Sequence, residues 1–132
     1  MPAFPSDAWA QAFREALNAN PQYAEAAKAW EGDFLLTVLP EPAHPRGLAV
    51  HLELAHGRCS AAQFVPDPSS VKSEFVVEGT RASWERLLGG EIDPVQGLMN
   101  GTFRLKGNLL KAMRFTKAAK EMLDTAGRVP RT

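Results

Sequence analysis

Residues 84–115 read WERLLGGEIDPVQGLMNGTFRLKGNLLKAMRF, and their pattern predicts a helix, a short helix, a strand and another helix in close succession. Gly89 ends the first helix, because glycine favours the position that follows a helix. Asp93, followed by proline, caps the short helix, and Asn108 caps the last one. Between them, residues 102–106 alternate apolar and basic side chains, as a strand with one buried face does. The segment therefore predicts helices packed against a sheet.

Alternation upstream predicts four more strands, preceded by two helices. The five predicted strands are residues 34–39, 47–55, 58–65, 73–78 and 102–106. Ser6 is suited to cap a first helix to about Ala19, and Asn20, followed by proline, to begin a second one. The last helix is expected to run from Asn108 to about Leu123. Since most strands are apolar on one side only, the sequence predicts an α+β fold with a five-stranded, mostly antiparallel sheet and helices packed on one face.

The length of 132 residues, with no repeat and no long linker, predicts a single domain over residues 1–132. Its parts are N-terminal helices (1–31), strands (33–79), helices with the last strand (80–125) and a tail (126–132). No apolar run approaches the roughly 20 residues that a bilayer-spanning helix needs. No basic-then-apolar leader opens the sequence, and a single cysteine, Cys59, suits a reducing compartment. We therefore expect a cytoplasmic protein.

Fifteen basic and fifteen acidic residues give a net charge of zero, which argues against a dedicated nucleic-acid binder. The charge is unevenly placed, because residues 101–132 hold eight basic and two acidic residues, whereas residues 1–100 hold seven and thirteen. Internal ion pairs and solvated helix faces would explain this asymmetry. A weak contact with an acidic partner or an anionic membrane surface would explain it as well. The cations expected to make a membrane contact are Lys106, Lys111, Arg114, Lys117 and Lys120.

The sequence contains no set of residues typical of catalysis or metal binding. His44, His51 and His56 fall in a loop, on the polar side of a strand and in a turn, without the spacing of metal ligands. Cys59 has no activating neighbour in sequence and is interpreted as a buried, inert thiol. Two carboxylate pairs, on the fourth strand and before the short helix, suit an exposed face and a helix cap. We predict a protein that is not an enzyme and has no metal or cofactor.

Soft apolar side chains are concentrated towards the C-terminal end. Met99, Met113 and Met122 occur there among leucines and phenylalanines. At helical spacing such residues usually pack a core. The alternative is the wall of a cavity that adapts to varied apolar ligands, because unbranched thioethers repack easily. Composition and spacing alone leave both interpretations open.

Residues 84–115 resemble the C-terminal half of the sterol carrier protein type two family of lipid-binding domains. The resemblance rests on a Trp-led helix ending in glycine, an acidic residue with proline, a small-residue turn and a strand closed by Lys-Gly-Asn. These features are Trp84 to Gly90, Asp93-Pro94, Leu98 to Gly101 and Thr102 to Asn108, followed by Ala112-Met113-Arg114-Phe115. The sequence ends in Pro130-Arg131-Thr132 and not in a peroxisomal Ser-Lys-Leu signal, which favours a stand-alone cytosolic protein.

The resemblance implies an apolar tunnel between sheet and helices that binds fatty acyl chains, sterol-like molecules or phospholipids without covalent chemistry, with transfer between membranes as the role. The residues expected to line it, chosen by their shared inward phase, are Leu52, Phe75, Trp84, Leu88, Leu98, Met99, Phe103, Leu105, Leu110 and Met113. The alternative is a structural or dimerisation module in which Trp84, Phe103 and Phe115 fill the tunnel. Both a monomer and a homodimer are compatible with the sequence.

Overall fold

A computed structural model describes residues 3–130 of the chain. The helices are α1 (Asp7–Asn18), α2 (Pro21–Ala26), α3 (Arg81–Leu88), α4 (Pro94–Met99), α5 (Leu109–Met113) and α6 (Thr116–Arg128). The strands are β1 (Phe34–Val38), β2 (Leu48–Ala55), β3 (Arg58–Val65), β4 (Phe75–Gly79) and β5 (Arg104–Lys106). The predicted order of helices and strands is confirmed. Of the predicted tail 126–132, the first three residues continue α6, and residues 131 and 132 lie outside the described residues.

The five strands form one sheet in the order β3-β2-β1-β4-β5. Strand β2 pairs antiparallel with β1 and β3, and β5 pairs antiparallel with β4. At the centre β1 and β4 run parallel, with Phe34 opposite Phe75 and Val38 opposite Gly79. The mostly antiparallel sheet is therefore confirmed, and its one parallel pair makes it mixed. This pair arises because the chain after β3 returns to the end of the sheet at which β1 begins.

Alternate strand residues face the helices and form the main core. They include Phe34, Leu36, Val50, Leu52 and Phe75. The opposite face carries a smaller buried cluster of Leu35, Ala49 and Val65, with Val71 and Val76 packed against it. Since Val71 belongs to the segment between β3 and β4, an irregular stretch of chain packs on this second face. The expected packing of helices on one face is confirmed, so the large apolar volume lies between the helices and one side of the sheet.

Side-chain caps fix the start of five helices. Ser6, Asn20, Thr80, Asp93 and Asn108 cap α1 to α5 in that order. In each case the side-chain oxygen accepts a hydrogen bond from a backbone N–H two or three residues further along. Short oxygen-bearing side chains satisfy N–H groups that the first turn of a helix leaves unpaired. The predicted starts of α1, α2, α4 and α5 are confirmed.

The last helix is not continuous from Asn108 to Leu123, as expected, but breaks into α5 and α6. Phe115 leaves the helical conformation, with φ −122° and ψ 32°. Met113 and Phe115 are two positions apart, so on one continuous helix they would point about 200° away from each other. The break lets both side chains reach one cavity. Helix α6 then continues to Arg128, beyond the predicted end.

Candidate functional site

A cavity of about 390 Å³ lies between the sheet and helices α4, α5 and α6. Small-molecule sites typically occupy roughly 300–1,000 Å³. Its lining consists of Tyr23, Trp30, Phe34, Leu54, Val77, Pro94, Val95, Leu98, Met99, Leu105, Leu109, Ala112, Met113, Phe115, Thr116, Ala118, Ala119, Lys120, Met122 and Leu123. Within this lining Lys120 is the one charged side chain. The cavity therefore suits a molecule that is mainly apolar.

The floor of the cavity comes from the sheet. Phe34 of β1, Val77 of β4 and Leu105 of β5 point to the helix side because successive strand residues alternate between faces. Val77 and Leu105 lie opposite each other in the β4–β5 pair. Leu54, near the end of β2, adds a further apolar side chain. The floor thus spans four adjacent strands.

An aromatic group bounds the cavity; Trp30, Phe34, Phe75 and Phe115 are called the Trp30 cluster below. The Trp30 ring centroid lies 5.7 Å from that of Phe34 and 5.0 Å, edge-on, from that of Phe115. The indole N–H of Trp30 donates to the carbonyl oxygen of Gly32 at 3.0 Å, which holds the ring in place. Three of the four rings, all except Phe75, line the cavity. They supply a large apolar wall of fixed geometry.

Small side chains explain why this volume is open. Ala118 and Ala119 of α6 and Ala112 of α5 all line the cavity. Phe115, Ala118, Ala119 and Met122 share one stripe at the spacing of a helix face. At the middle of that stripe the chain presents methyl groups to the sheet, whereas α1 presents large aromatic and aliphatic side chains to it. The volume that larger side chains would fill is left empty.

Four exposed apolar side chains mark the opening of the cavity; Met99, Leu109, Leu110 and Met113 are called the mouth patch below. Met99 is 78% exposed, Leu109 53%, Leu110 76% and Met113 71%. Three of them line the cavity, whereas Leu110 does not. The flexible thioethers of the two methionines can change rotamer to let a ligand pass.

Lys120 is the charged residue of the lining. Its Nζ lies 2.8 Å from Oδ2 of Asp124, one turn further along α6. This hydrogen bond and the negative charge of Asp124 raise the pKa of Lys120, so the amine remains protonated. An ammonium group at the wall is suited to meet the polar head of a ligand whose tail lies in the apolar interior.

The structure brings four of the ten predicted lining residues to the cavity. These are Leu98, Met99, Leu105 and Met113. The other six, which lie elsewhere, are Leu52, Phe75, Trp84, Leu88, Phe103 and Leu110. Five of the six are buried in the core, and Leu110 faces solvent. The inward phase of these residues indicated the side of the sheet that faces the helices. It did not distinguish residues that line the cavity from residues of the close-packed core.

Glycines explain where two of these aromatic rings lie. A Cβ atom at Gly79 would come within 2.6 Å of the Phe103 ring, and one at Gly97 within 2.9 Å. The Phe103 ring is therefore packed tightly between the backbones of β4 and α4. The Phe75 ring lies as close to Gly107, where a Cβ atom would be 2.6 Å away and φ is +136°. Backbone that approaches a ring this closely leaves no free volume beside it.

Most of the aromatic and alanine lining was missed from the sequence. Trp30 and Phe115 come from segments far apart in the chain, and their contact depends on the break before α6. The adjacent Ala118 and Ala119 were the available signal, because two alanines on the buried stripe of a long helix leave space. Helical periodicity indicates that such residues are buried, but it does not indicate how much empty volume lies beside them.

Besides Lys120, which pairs with Asp124, two more of the cations expected to contact a membrane are engaged within the fold. Lys106 lies on the sheet face away from the helices, where its Nζ is 3.2 Å from Glu78 Oε1. Lys111 Nζ lies 2.7 Å from Glu74 Oε2 and 5.0 Å from the centroid of the Trp30 ring, and it also donates to the backbone carbonyl of Glu31. The interpretation of the charge asymmetry as internal ion pairing therefore holds for these two lysines.

The titratable residues singled out in the sequence take part in structural contacts. Burial raises the pKa of the Cys59 thiol to about 11, and its Sγ–H donates to the carbonyl of Ala61. His51 Nε2 lies 2.7 Å from Oδ2 of Asp33. Over residues 3–130 no group of three or more His, Cys, Asp or Glu side chains is placed to hold a metal ion. Within the same span no helix has the length and apolar character needed to cross a bilayer.

Fold and cavity define a class of protein, namely an α+β domain whose helices cover one face of a five-stranded sheet and border an apolar cavity. The sequence model of the SCP-2 sterol transfer family matches residues 12–120. A crystal structure of sterol carrier protein 2 is 37% identical with a TM-score of 0.89, and the match covers 95% of this chain and 98% of that one. The chain belongs to the SCP-2 sterol transfer family, which confirms the resemblance.

Two further solved structures are similar to this chain. A conserved hypothetical protein from Thermus thermophilus is 36% identical, with a TM-score of 0.86 over 96% of this chain and 90% of that one. Apo sterol carrier protein 2 from Yarrowia lipolytica is 18% identical, with a TM-score of 0.58 over 89% and 88% of the two chains. At that identity the likeness concerns the fold alone. Among curated proteins none matches this chain.

Proposed function

We propose that this protein binds a lipid non-covalently in the cavity and carries it between membranes in the cytoplasm, without catalysis. The observation that carries the proposal is the cavity of about 390 Å³, whose lining is apolar except for a few side chains. The ligand classes that fit are fatty acyl chains, sterol-like molecules and phospholipids, each with a long apolar part and a small polar end. Family membership supports the same assignment.

Apolar burial is sufficient to hold such a ligand. Each methylene group moved from water to an apolar environment contributes about 0.8 kcal/mol. An acyl chain of ten methylenes would therefore contribute roughly 8 kcal/mol before the entropy cost of binding. Directional contacts are not needed for most of the affinity, which suits a lining in which Lys120 alone is charged.

A carrier must also meet the membranes that it serves. Because Lys106, Lys111 and Lys120 are paired within the fold, we assign the contact with an anionic membrane mainly to Arg114 and Lys117. Such a contact is weak and reversible, since each cation near an anionic surface contributes about 1 kcal/mol and the attraction fades over about 10 Å at 0.1 M salt.

Uptake of a fluorescent fatty acid by the purified protein tests the binding role. Ala119→Trp places a large ring into the cavity and is expected to reduce uptake at least tenfold, because the ring occupies the space of the ligand. Ala82→Trp is the matched control, since Ala82 is an exposed residue of α3 outside the lining. It should take up the probe like the wild type. Circular dichroism and urea unfolding establish that both variants are folded.

Two outcomes would contradict the binding role. One is equal uptake by Ala119→Trp and the wild type, and the other is no uptake by the folded wild-type protein. In the second case the fold serves as a structural or dimerisation module, and light scattering would then detect a dimer. Organic extraction and mass spectrometry of the purified protein provide an independent measurement, because a carrier purifies with a stoichiometric lipid.

A further inference from the structure

The mouth patch is the site at which this molecule leaves large apolar side chains in water. Within the part of the chain that the structure describes, its four members are the exposed large hydrophobic residues. They come from two short helices, α4 and α5, and no residue of α5 is buried. Exposed apolar surface gathered at one place is typical of an interaction site, whereas isolated exposed leucines are ordinary.

Positive charge without an internal partner lies directly beside this patch. Residues 99–120 contain six basic and no acidic side chains. Arg114 follows Leu110 by one helical turn, and Lys117 is the second residue of α6; both are exposed. No ion pair among residues 3–130 involves either of them. Apolar side chains next to free cations are complementary to an anionic bilayer.

Contacts on the opposite side of α5 keep this surface pointing outward. Lys111 ties the helix to the body of the protein through Glu74 and the carbonyl of Glu31. Leu109, Ala112 and Met113 border the cavity from the same helix. Leu110, which takes part in neither contact, is left as the most exposed residue of α5. Helix α5 is therefore fixed to the protein through Lys111 and its cavity-lining residues, while the Leu110 side chain projects into solvent.

We propose that the mouth patch enters the outer layer of an anionic phospholipid bilayer, with Leu110 and Met99 among the acyl chains and Arg114 and Lys117 at the phosphate groups. This inference rests on the proposed lipid-carrier function and adds the docking surface and its orientation. Since three residues of the patch also line the cavity, docking in this way places the cavity mouth on the membrane. A lipid chain then moves between bilayer and cavity without crossing water.

An environment-sensitive nitrobenzoxadiazole label at the tip of α5 tests this orientation. Leu110→Cys carries the label in a Cys59→Ala background, and Gln63→Cys is the matched control because Gln63 is exposed on β3. The vesicles contain phosphatidylcholine with or without phosphatidylglycerol. The label at position 110 should brighten and shift to the blue only with the anionic vesicles, and bilayer-embedded nitroxide lipids should quench it. The label at position 63 should not change.

Two unlabelled variants separate the apolar and charged contributions by vesicle co-sedimentation. Leu110→Ser should weaken vesicle binding roughly tenfold or more, because the side chain no longer enters the bilayer. Arg114→Gln/Lys117→Gln should weaken it by about fivefold per charge at low salt and much less at high salt. Fatty acid uptake by Leu110→Ser in the absence of vesicles should equal that of the wild type, since Leu110 is outside the lining.

The proposed docking is overturned if wild-type protein that takes up fatty acid does not bind anionic vesicles. It is equally overturned if vesicles bind while the label at position 110 remains in water. A blue shift that grows with protein concentration in the absence of vesicles would assign the patch to a contact between two copies of the chain. Absence of fatty acid uptake by the wild type contradicts the carrier function instead, whatever the vesicle experiment gives.

Discussion

Two aromatic clusters lie on the same side of one sheet, yet only one of them borders an open cavity. The Trp30 cluster does so, whereas the second group, called the Trp84 cluster, is sealed. Its members are Phe4, Trp9, Phe13, Trp84 and Phe103. Trp84 is fully buried, donates its indole N–H to the carbonyl of Thr37 at 2.8 Å and meets the Phe103 ring edge-on at 4.8 Å.

The difference comes from the small residues around each cluster. Gly79 and Gly97 have no side chain, so the backbone approaches the Phe103 ring directly and the packing there is close. Ala118 and Ala119 lie on a helix that borders the cavity, and their short side chains leave its volume open. Small residues therefore give close packing where the backbone approaches the neighbouring side chain, and they leave a cavity where the backbone stays at a distance.

Truncating one side chain in each region should give the largest contrast. Trp84→Ala is expected to lower the free energy of unfolding by about 3–5 kcal/mol, as loss of a buried aromatic ring does. Met113→Ala at the mouth should cost less than about 0.5 kcal/mol, because most of its side chain is already in water. Urea unfolding of both variants measures this. Similar losses would mean that the mouth is as tightly packed as the sealed cluster.

Enlarging a buried alanine in each region sharpens the same contrast. Ala10→Leu, in the helix that carries Trp9, should destabilise the protein by about 1–3 kcal/mol, because the core there has no spare room. Ala118→Leu adds the same atoms beside the cavity and should change the stability by less than about 0.5 kcal/mol. Its fatty acid uptake should fall, since the added side chain occupies ligand volume. A large loss of stability at position 118 would indicate that the cavity is closed in solution.

Acid should weaken the strand ends near the Trp30 cluster through Asp33, with a smaller effect. Partial burial raises the pKa of Asp33, but hydrogen bonds from His51, the backbone amide of Glu74 and Ser73 outweigh it and lower the pKa below its usual value. The carboxylate thus contributes stability above the ordinary aspartate pKa of about 3.9, and this contribution is lost as the pH falls through the lower folded-state value.

The measurement is the urea midpoint at pH 7 and at pH 3. Asp33→Asn should lower the midpoint at pH 7 and reduce its further loss at pH 3. Asp7→Asn is the control, because it makes the same chemical change at an exposed position. If Asp33→Asn retains the pH dependence of the wild type, other carboxylates account for the acid sensitivity.

Much of the architecture could be predicted because its determinants are local. Ser6, Asn20 and Asn108 each cap a helix through contacts within three residues, and alternation in β2 depends on neighbours along one strand. The expectation of one continuous last helix was wrong for a physical reason. Side chains that line the cavity lie on both sides of Phe115 in the sequence, and the helix changes direction there. Helical propensity alone does not predict this change.

The candidate site was less predictable, because a cavity is a property of several segments together. Leu98 and Met113, which were expected to line a tunnel, border the cavity. Phe103 shares that inward phase but lies between two glycines, and Trp30 was missed although it forms the wall. Burial can be inferred from periodicity, whereas empty volume depends on distances between backbones that are far apart in the sequence.

The sequence by itself determined the class of fold, the apolar and polar faces of its elements and the family that residues 84–115 resemble. Each of these follows from spacing and chemistry within a short window of chain. Only the tertiary structure decided which apolar residues pack closely and which border a cavity, and that Lys106 and Lys111 pair inside the fold while Arg114 and Lys117 do not. The reason is that packing density and ion pairing depend on the separation of segments in space, and the backbone path sets that separation.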